Sequence, residues 1–254
     1  MIATTEEIPL LREGGKRLAH VLHAVARATV PGVSTADLDA LAEKMIRDGG
    51  DTPSLIGYTP RGAKRPYPAT LCISINEEVV HGIPNENPRI IKEGDIVGLD
   101  CVLTHEGVFV DSAISVIAGN GDEDAKGLLE ATEEALAAGI AAARAGHHVG
   151  DISAAIEAVG VERGYGIVYE LGGHGVGHSV HEEPYIPNVG DAGEGEELVE
   201  GMVIAIEPMF TEGTPNVKLL KDGYTFVTKD GSRASHFEHT VLITAKGPEI
   251  LTKI

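Results

Sequence analysis

The sequence lacks the features that mark exported, membrane-spanning or nucleic-acid-binding proteins. It contains no apolar run of about 18 residues, the length that a membrane-spanning helix requires. Residues 1–15 lack the basic-then-apolar order of a signal peptide, so we expect a cytoplasmic protein. The net charge of −19 disfavours the broad electrostatic attraction on which non-specific nucleic-acid binding depends. We expect no membrane partner and no sequence-specific nucleic-acid partner.

Cysteine is also scarce. The two cysteines, Cys72 and Cys101, do not lie in a CxxC motif, so neither a disulfide framework nor a zinc ribbon is indicated. We interpret both as small buried residues. With 43% hydrophobic and 23% charged residues, the 254-residue chain can form one large domain or two half-sized units.

An internal repeat is the main positive feature of the sequence. Residues 93–100 (EGDIVGLD) and 200–207 (EGMVIAIE) each place an acid-Gly pair before an apolar strand that ends in a carboxylate. Two further pairs of motifs flank these copies in the same order: VHxxP at 80–84 and 180–184, and the strand motifs VDSAI at 110–114 and FEHTV at 237–241.

Helical patterns repeat in the same way. Apolar residues at helical spacing predict helices over residues 4–29 and from Ser34 to Gly50, before the first set of strands. Corresponding helices are predicted over residues 124–146 and 149–164, before the second set. We therefore expect a single catalytic domain of two related halves, with paired sheets in the middle and helices outside. The halves would be residues 1–120 and 121–254.

The strand that ends each copy of the repeat leaves space beside its carboxylate. Alternate side chains of a strand share a face, so Gly98 and Asp100 lie on one face, and Ala205 and Glu207 on the corresponding face of the other copy. A lone ionised carboxylate after a buried strand costs several kcal/mol unless a partner compensates it. The sequence therefore poses the question of what compensates Glu207.

Two more carboxylates are expected nearby. After Asp100 the chain turns near residues 105–107, and the returning strand can bring Asp111 beside Asp100. Glu238 would reach Glu207 in the same way, across a longer connection. Four converging carboxylates repel one another unless cations lie between them, and two divalent ions balance four negative charges. Ligation by carboxylates favours Mn, Fe or Co and also admits Zn.

A neutral imidazole is a common additional ligand, and GGHGVGHSVH (residues 172–181) offers His174, His178 and His181. The glycines of this segment disfavour a helical HxxxH motif and favour an extended strand. On a strand, His174 and His178 would share a face and His181 would not, so the spacing does not assign all three to one metal.

Each feature also has a simpler interpretation. A single strand carboxylate is more often an edge residue or a hydrogen-bonded residue than a metal ligand; the repetition of the pattern reverses that preference. The glycines of residues 172–177 could form a phosphate loop, but the segment lacks the Lys-Ser/Thr of a P-loop and a full GxGxxG.

At these residues the sequence resembles the type I methionine aminopeptidases, along nearly its whole length. The resemblance rests on motifs that occur in order: CISINEEVVHGIP, GDIVGLD, VDSAISV, GHGVGHSVHEEP, GMVIAIEPMF and FEHTV. It implies an α+β pita-bread fold, in which a pseudo-two-fold repeat forms a central curved, mostly antiparallel sheet flanked by two pairs of helices. It also implies hydrolytic removal of the initiator methionine from new polypeptides whose second residue is small.

The resemblance further implies roles for individual residues. Glu207 would act as general base as well as metal ligand, His81 and His181 would face the substrate and act in catalysis, and His178 would not be a ligand. The implied ligands of a two-metal site are Asp100, Asp111, His174, Glu207 and Glu238. The implied walls of the methionine pocket are Tyr58, Cys72, Val180 and Tyr224.

The sequence departs from the family pattern at several positions. His236 stands where Gln is common, and Val180 and Tyr224 replace bulkier Phe and Trp. Residues 57–72 (GYTPRGAKRPYPATLC) are longer and more basic than usual. We hypothesise that this segment overhangs the site entrance and contacts either the incoming peptide or ribosomal phosphates; the alternative is a solvated loop. The cations concerned are Arg61, Lys64 and Arg65.

Two other functions remain open from the sequence. Aminopeptidase P and prolidase share the five-ligand site, although they usually carry an additional N-terminal domain. A metal-free peptide-binding module could reuse the same fold, although such modules typically lose ligands. The expected partners are nascent polypeptide N-termini and possible ribosomal contacts, and we expect a monomer.

Overall fold

The computed structural model of the chain describes residues 1–60 and 62–254, so Arg61 lies outside the described residues. Two pairs of helices confirm the predicted helical segments, with ends that differ by a few residues. The helices are α1 (Glu7–Ala28), α2 (Thr35–Asp48), α3 (Glu123–Ala142) and α4 (Val149–Arg163).

Local sequence explains where the helices begin and end. The Ser34 side chain accepts a hydrogen bond from the Ala36 amide and caps α2. The Asp122 side chain accepts one from the Ala125 amide, at 2.7 Å, and caps α3. Gly164 ends α4 in the left-handed conformation, with φ of 77°.

Strands occupy most of the remaining chain. Those of the first half are β1 (Thr52–Pro53), β2 (Leu71–Ile75), β3 (Glu78–Val80), β4 (Ile96–His105) and β5 (Val108–Ile117). Those of the second half are β6 (Gly166–Ile167), β7 (Gly172–Gly175), β8 (Glu182–Pro187), β9 (Val203–Ile206), β10 (Met209–Thr211), β11 (Val217–Leu219), β12 (Phe226–Thr228), β13 (Ala234–His236), β14 (Glu238–Thr244) and β15 (Gly247–Ile250).

The largest sheet joins the two halves of the chain. Its order is β1-β4-β5-β14-β9-β7-β8, with β2 paired to β4 and β15 to β14. The hairpin of β4 and β5 meets β14 and β9 at the centre, where β5 pairs antiparallel with β14. Smaller sheets, β13-β10-β6 and β11-β12-β3, lie beside it.

The helices cover one face of this sheet and leave the other face for the site. Helix α1 packs on β4 and β5, and the alternate residues Leu99, Cys101 and Val110 are buried in that core. Asp100 and Asp111 have the opposite parity and therefore point to the other face. Helices α3 and α4 pack on each other over a second core that contains Ile204 and Ile206.

Both cysteines are buried and free, as predicted. None of the helices in the described part of the chain is both long and apolar enough to cross a membrane.

Candidate metal centre

A tight hairpin brings Asp100 and Asp111 to one face of the sheet. Between β4 and β5, Glu106 and Gly107 adopt positive φ angles of 46° and 92°, as the two-residue turns that suit twisted hairpins require. The register places Asp100 opposite Ala113 and Asp111 opposite Val102. Directly opposite residues share a face, so the two carboxylates are diagonal neighbours, as the sequence predicts.

The second half supplies Glu238 and Glu207 on the same face. Glu238, the first residue of β14, lies opposite Ala113, so this small side chain separates Asp100 from Glu238 across three strands. His239 lies opposite Ile206, and one further step of that register brings Glu207 level with Glu238. The predicted convergence of the four carboxylates is therefore present in the fold.

His174 completes the cluster from the glycine-rich strand β7. It lies opposite Ala205 of β9, which puts its ring on the side of Glu207. Its Nδ1 donates to the Gly175 carbonyl at 2.9 Å, so its Nε2 is left free to bind a cation. That Nε2 lies 3.6 Å from Glu207 Oε1 and 3.8 Å from Asp111 Oδ2. Glycines flank His174 because a Cβ at Gly173 would overlap with the Ala205 carbonyl oxygen.

The electrostatics of the cluster fit a bound cation. Burial, reinforced by neighbouring carboxylates, raises the pKa of Asp111 and of Glu238 well above the ordinary range. Burial also raises the pKa of Asp100, to about 6. Asp111 Oδ1 and Glu238 Oε1 are buried without a hydrogen-bond partner among the described residues. A divalent ion would satisfy both oxygens and remove the need for protons.

The donor set also fits a metal by composition and spacing. Asp111, His174 and Glu238 each offer a ligand atom, and these atoms lie within 4.8 Å of one another. Carboxylate oxygens with one imidazole form a ligand set for Mn, Fe, Co or Zn.

A cavity of about 600 Å³ opens onto the cluster, and both predicted catalytic histidines line it. The His181 ring lies 4.4 Å from the His174 ring, between centroids. His81 adopts a left-handed backbone conformation, with φ of 60°, which is uncommon outside glycine and concentrates at functional sites. Burial lowers the pKa of His81 to about 4, so its ring is neutral near pH 7.

The residues assigned to the methionine pocket come together beside the cavity. Cys72, Val180 and Tyr224 are buried in one apolar cluster, and Tyr58 packs against it. Cys72 lies opposite Asp100 in the pairing of β2 with β4, so the apolar cluster directly adjoins the carboxylates.

The strand argument for the three histidines is wrong beyond Gly175. The predicted strand is present as β7, but it ends at Gly175 and the chain then turns, so the alternation of faces does not continue. His178 is exposed and its Nε2 lies 2.8 Å from Glu7 Oε1. His181, which the alternation placed on the opposite face, instead lies beside His174.

Sequence reasoning missed two contacts that position this region. Tyr58 Oη lies 2.8 Å from His181 Nδ1, although the residues are distant in the sequence. Glu182 accepts hydrogen bonds from the His178 and Ser179 amides, at 2.6 and 2.8 Å, and pairs with the Met1 ammonium at 3.0 Å. The sequence indicated Tyr58 only as a wall of the methionine pocket, and no sequence pattern indicated a role for Glu182.

Fold and cluster together define a metallopeptidase. The sequence model of Metallopeptidase family M24 matches residues 9–245, and the chain belongs to that family. Several relatives of high similarity are named methionine aminopeptidases. That of Aquifex aeolicus is 50% identical over 250 residues, which cover 98% of this chain and 96% of the relative. Methionine aminopeptidase 1 of Mycobacterium tuberculosis is 42% identical, with 97% and 92% covered. The resemblance seen in the sequence is confirmed.

Comparison with solved structures supports the same family assignment. The crystal structure of methionine aminopeptidase from Thermotoga maritima matches with a TM-score of 0.95 and 40% identity, covering 100% of this chain and 99% of that chain. The prolidase from Pyrococcus furiosus has a TM-score of 0.77 at 24% identity, and the match covers 65% of its chain. The prolidase therefore shares the fold. The predicted α+β pita-bread fold is confirmed by these matches.

Proposed function

We propose that this chain is a metal-dependent methionyl aminopeptidase, which removes the initiator methionine from nascent polypeptides whose second residue is small. The observation that carries the proposal is the buried cluster of carboxylates and His174, which opens into a cavity beside an apolar pocket. Full-length relatives named methionine aminopeptidase support it.

The proposed ligands of two divalent ions are Asp100, Asp111, His174, Glu207 and Glu238. Such ions polarise a scissile carbonyl and lower the pKa of a water molecule toward neutrality. Mn, Fe or Co suits the ligand set best, and Zn is also compatible with it. Asp111 and Glu238 would hold metal, and each presents a buried oxygen without a hydrogen-bond partner among the described residues.

The chain's own residues would handle the protons. The Glu207 carboxylate would accept a proton from the attacking water and pass it to the departing amine as the peptide C–N bond breaks. Tyr58 Oη would donate to His181 Nδ1, so that His181 Nε2 carries a proton and stabilises the oxyanion that forms at the scissile carbonyl. The neutral His81 would assist at the leaving nitrogen.

The apolar cluster would select the substrate side chain. Tyr58, Val180 and Tyr224 would supply apolar walls, and Cys72 a soft sulfur contact for the methionine thioether. A crowded position for the second residue would exclude long side chains. We also propose that residues 1–254 form one catalytic domain of two related halves, which the central pairing of β5 with β14 supports.

Product release from tripeptides tests the proposed function against its alternatives. With Mn²⁺ or Co²⁺ supplied, we expect rapid release of methionine from Met-Ala-Ser, and little turnover of Met-Lys-Ser or Ala-Pro-Ser. Preferential cleavage of Ala-Pro-Ser would favour an aminopeptidase P or prolidase activity. Peptide binding with neither metal binding nor turnover would favour a metal-free peptide-binding module.

We also propose that the protein is cytoplasmic and that its basic segment, residues 57–72, contacts the ribosome. Tyr58 and Pro60 line the cavity, so the basic segment adjoins its mouth. Arg65 forms a two-pronged ion pair with Glu86 and lies over the Tyr224 ring, so it serves the pocket wall. Lys64 is exposed. Of the two described cations in the segment, it is therefore better placed than Arg65 to bind phosphate. A salt-sensitive loss of ribosome co-sedimentation in Lys64→Ala, with tripeptide kinetics intact, would support docking, and unchanged co-sedimentation would remove that role.

A further inference from the structure

His236 is a buried imidazole that the proposed reaction does not use. It ends β13, and its exposed fraction is 3%. Its Nε2 has no hydrogen-bond partner among the described residues, and the charged atom that it faces is Glu207 Oε2, at 3.3 Å. A buried polar nitrogen without a partner costs free energy, so this orientation toward the cluster needs a reason.

The backbone holds the His236 ring in place. Ser115 Oγ accepts a hydrogen bond from the His236 amide at 3.0 Å and donates one to the His236 carbonyl at 2.8 Å. In the pairing of β10 with β13, His236 lies opposite Met209, two residues after Glu207. His236 thus lies on the strand that pairs with β10, and Glu207 lies in the short connection between β9 and β10.

Glu207 consequently lies between two imidazoles. Its Oε1 faces His174 Nε2 at 3.6 Å, and its Oε2 faces His236 Nε2 at 3.3 Å. A carboxylate oxygen only accepts hydrogen bonds, so His236 is satisfied when its Nε2 carries the proton and donates. Partners of this kind orient the ligands of metal sites.

We infer that His236 is a positioning residue, whose Nε2–H holds Glu207 Oε2 so that Oε1 stays turned toward the metal centre. The inference rests on the proposed role of Glu207 as a ligand. It gives His236 no direct contact with metal or substrate. An amide at this position can donate a comparable hydrogen bond, whereas an aliphatic side chain of similar size cannot.

Binding of Co²⁺ to the metal-free protein tests the inference without any substrate. Calorimetry gives the affinity and the number of ions, and the visible absorption spectrum of bound Co²⁺ reports its coordination. For His236→Leu we expect affinity about 10- to 100-fold lower and an altered spectrum, with an unchanged number of ions. For His236→Gln we expect affinity and spectrum close to those of the wild type.

Ser115→Ala provides a second variant if His236→Leu does not fold. It leaves the imidazole in place but removes both hydrogen bonds to the His236 backbone, so we expect a smaller loss of Co²⁺ affinity. In a His236→Gln background the same substitution should also lower affinity, because the backbone of residue 236 is still released.

Three outcomes would overturn the inference. Wild-type affinity and spectrum in His236→Leu would show that Glu207 needs no such partner. Loss of a bound ion in both His236 variants would make His236 a ligand. Failure of His236→Gln to restore the spectrum would exclude hydrogen-bond donation as the cause. If the wild type binds Co²⁺ as expected but does not release methionine, the proposed function fails while this inference stands.

Discussion

At the scale of single residues, the proposed chemistry depends on how the Glu207 carboxylate is held and charged. Burial raises its pKa, but the neighbouring imidazoles of His236, His174 and His81 lower it further, so the pKa of Glu207 lies below its ordinary value. The nearby acids Asp111 and Glu238 show the opposite direction. Of these three carboxylates, Glu207 is therefore the one that stays ionised most readily in the folded protein.

Replacement of Glu207 by Gln removes the base and alters a ligand while keeping the shape of the side chain. We expect kcat to fall by about 10²- to 10⁴-fold, the usual contribution of a general base, or further because ligation also suffers. The circular dichroism spectrum should match that of the wild type. Turnover of Met-Ala-Ser at the wild-type rate would contradict the role given to Glu207.

His181 and Tyr58 form a pair whose variants separate catalysis from metal binding. Loss of an oxyanion donor in His181→Ala should lower kcat by about 10²- to 10³-fold, with metal content retained. Tyr58→Phe removes only the hydrogen bond to His181 Nδ1, and we expect a decrease of roughly 2- to 10-fold. Metal content measured by atomic emission is the control. If His181→Ala emptied the metal centre, the assignment of ligands would be wrong.

At the scale of elements, strand β7 places His174 because its glycines allow close approach to neighbouring strands. A Cβ at Gly173 would overlap with the Ala205 carbonyl oxygen, and one at Gly175 with the Glu183 carbonyl oxygen. Gly98 of β4 differs, because a Cβ there would lie 3.6 Å from the Ser74 carbonyl oxygen, an ordinary contact.

Gly173 and Gly98 provide a matched pair of alanine variants. Gly173→Ala should lower the free energy of unfolding by about 1–3 kcal/mol, as overpacking does, and weaken metal binding through displacement of β7. Gly98→Ala, two residues before Asp100, should change the free energy by no more than about 0.5 kcal/mol. Urea unfolding and metal calorimetry measure both effects. Equal behaviour of the two variants would contradict the packing account.

Elements formed by local signals were predictable from the sequence. The turn before Val108 predicted that Asp111 returns beside Asp100 on the same face, and the repeated strand motif predicted that Glu207 is the counterpart of Asp100. The position of His181 was not predictable from the sequence. Side chains alternate between faces only within a strand, and β7 ends at Gly175. The contact of Tyr58 with His181 depends on the tertiary fold, which spacing does not encode.

At the scale of the whole molecule, the central sheet brings like charges from both halves together. In the metal-free folded protein, the pKa values of Asp100, Asp111 and Glu238 are raised above those of the unfolded chain. Protons held there contribute stability that is present at low pH and lost as the pH rises through the folded pKa, which is about 6 for Asp100. A bound cation replaces these protons, so metal binding strengthens as the pH rises.

We therefore expect the metal-induced rise in Tm to be larger near about pH 8 than near about pH 5.5. Differential scanning calorimetry of chelated and Mn²⁺-loaded protein at both values measures it, because an ion that binds only the folded state raises Tm. Asp111→Asn is the control and should show a much smaller rise at either pH. A metal-induced rise that does not depend on pH would contradict proton displacement from the cluster.

The proposed function requires that the cluster of Asp100, Asp111, His174, Glu207 and Glu238 hydrolyse N-terminal methionine through bound divalent metal. The most direct test follows methionine release from Met-Ala-Ser by protein stripped of metal, verified by elemental analysis, and then titrated with Mn²⁺ or Co²⁺. We predict no turnover in the stripped protein and recovery in proportion to the metal bound at the cluster. Full turnover by protein verified to be metal-free would contradict the account.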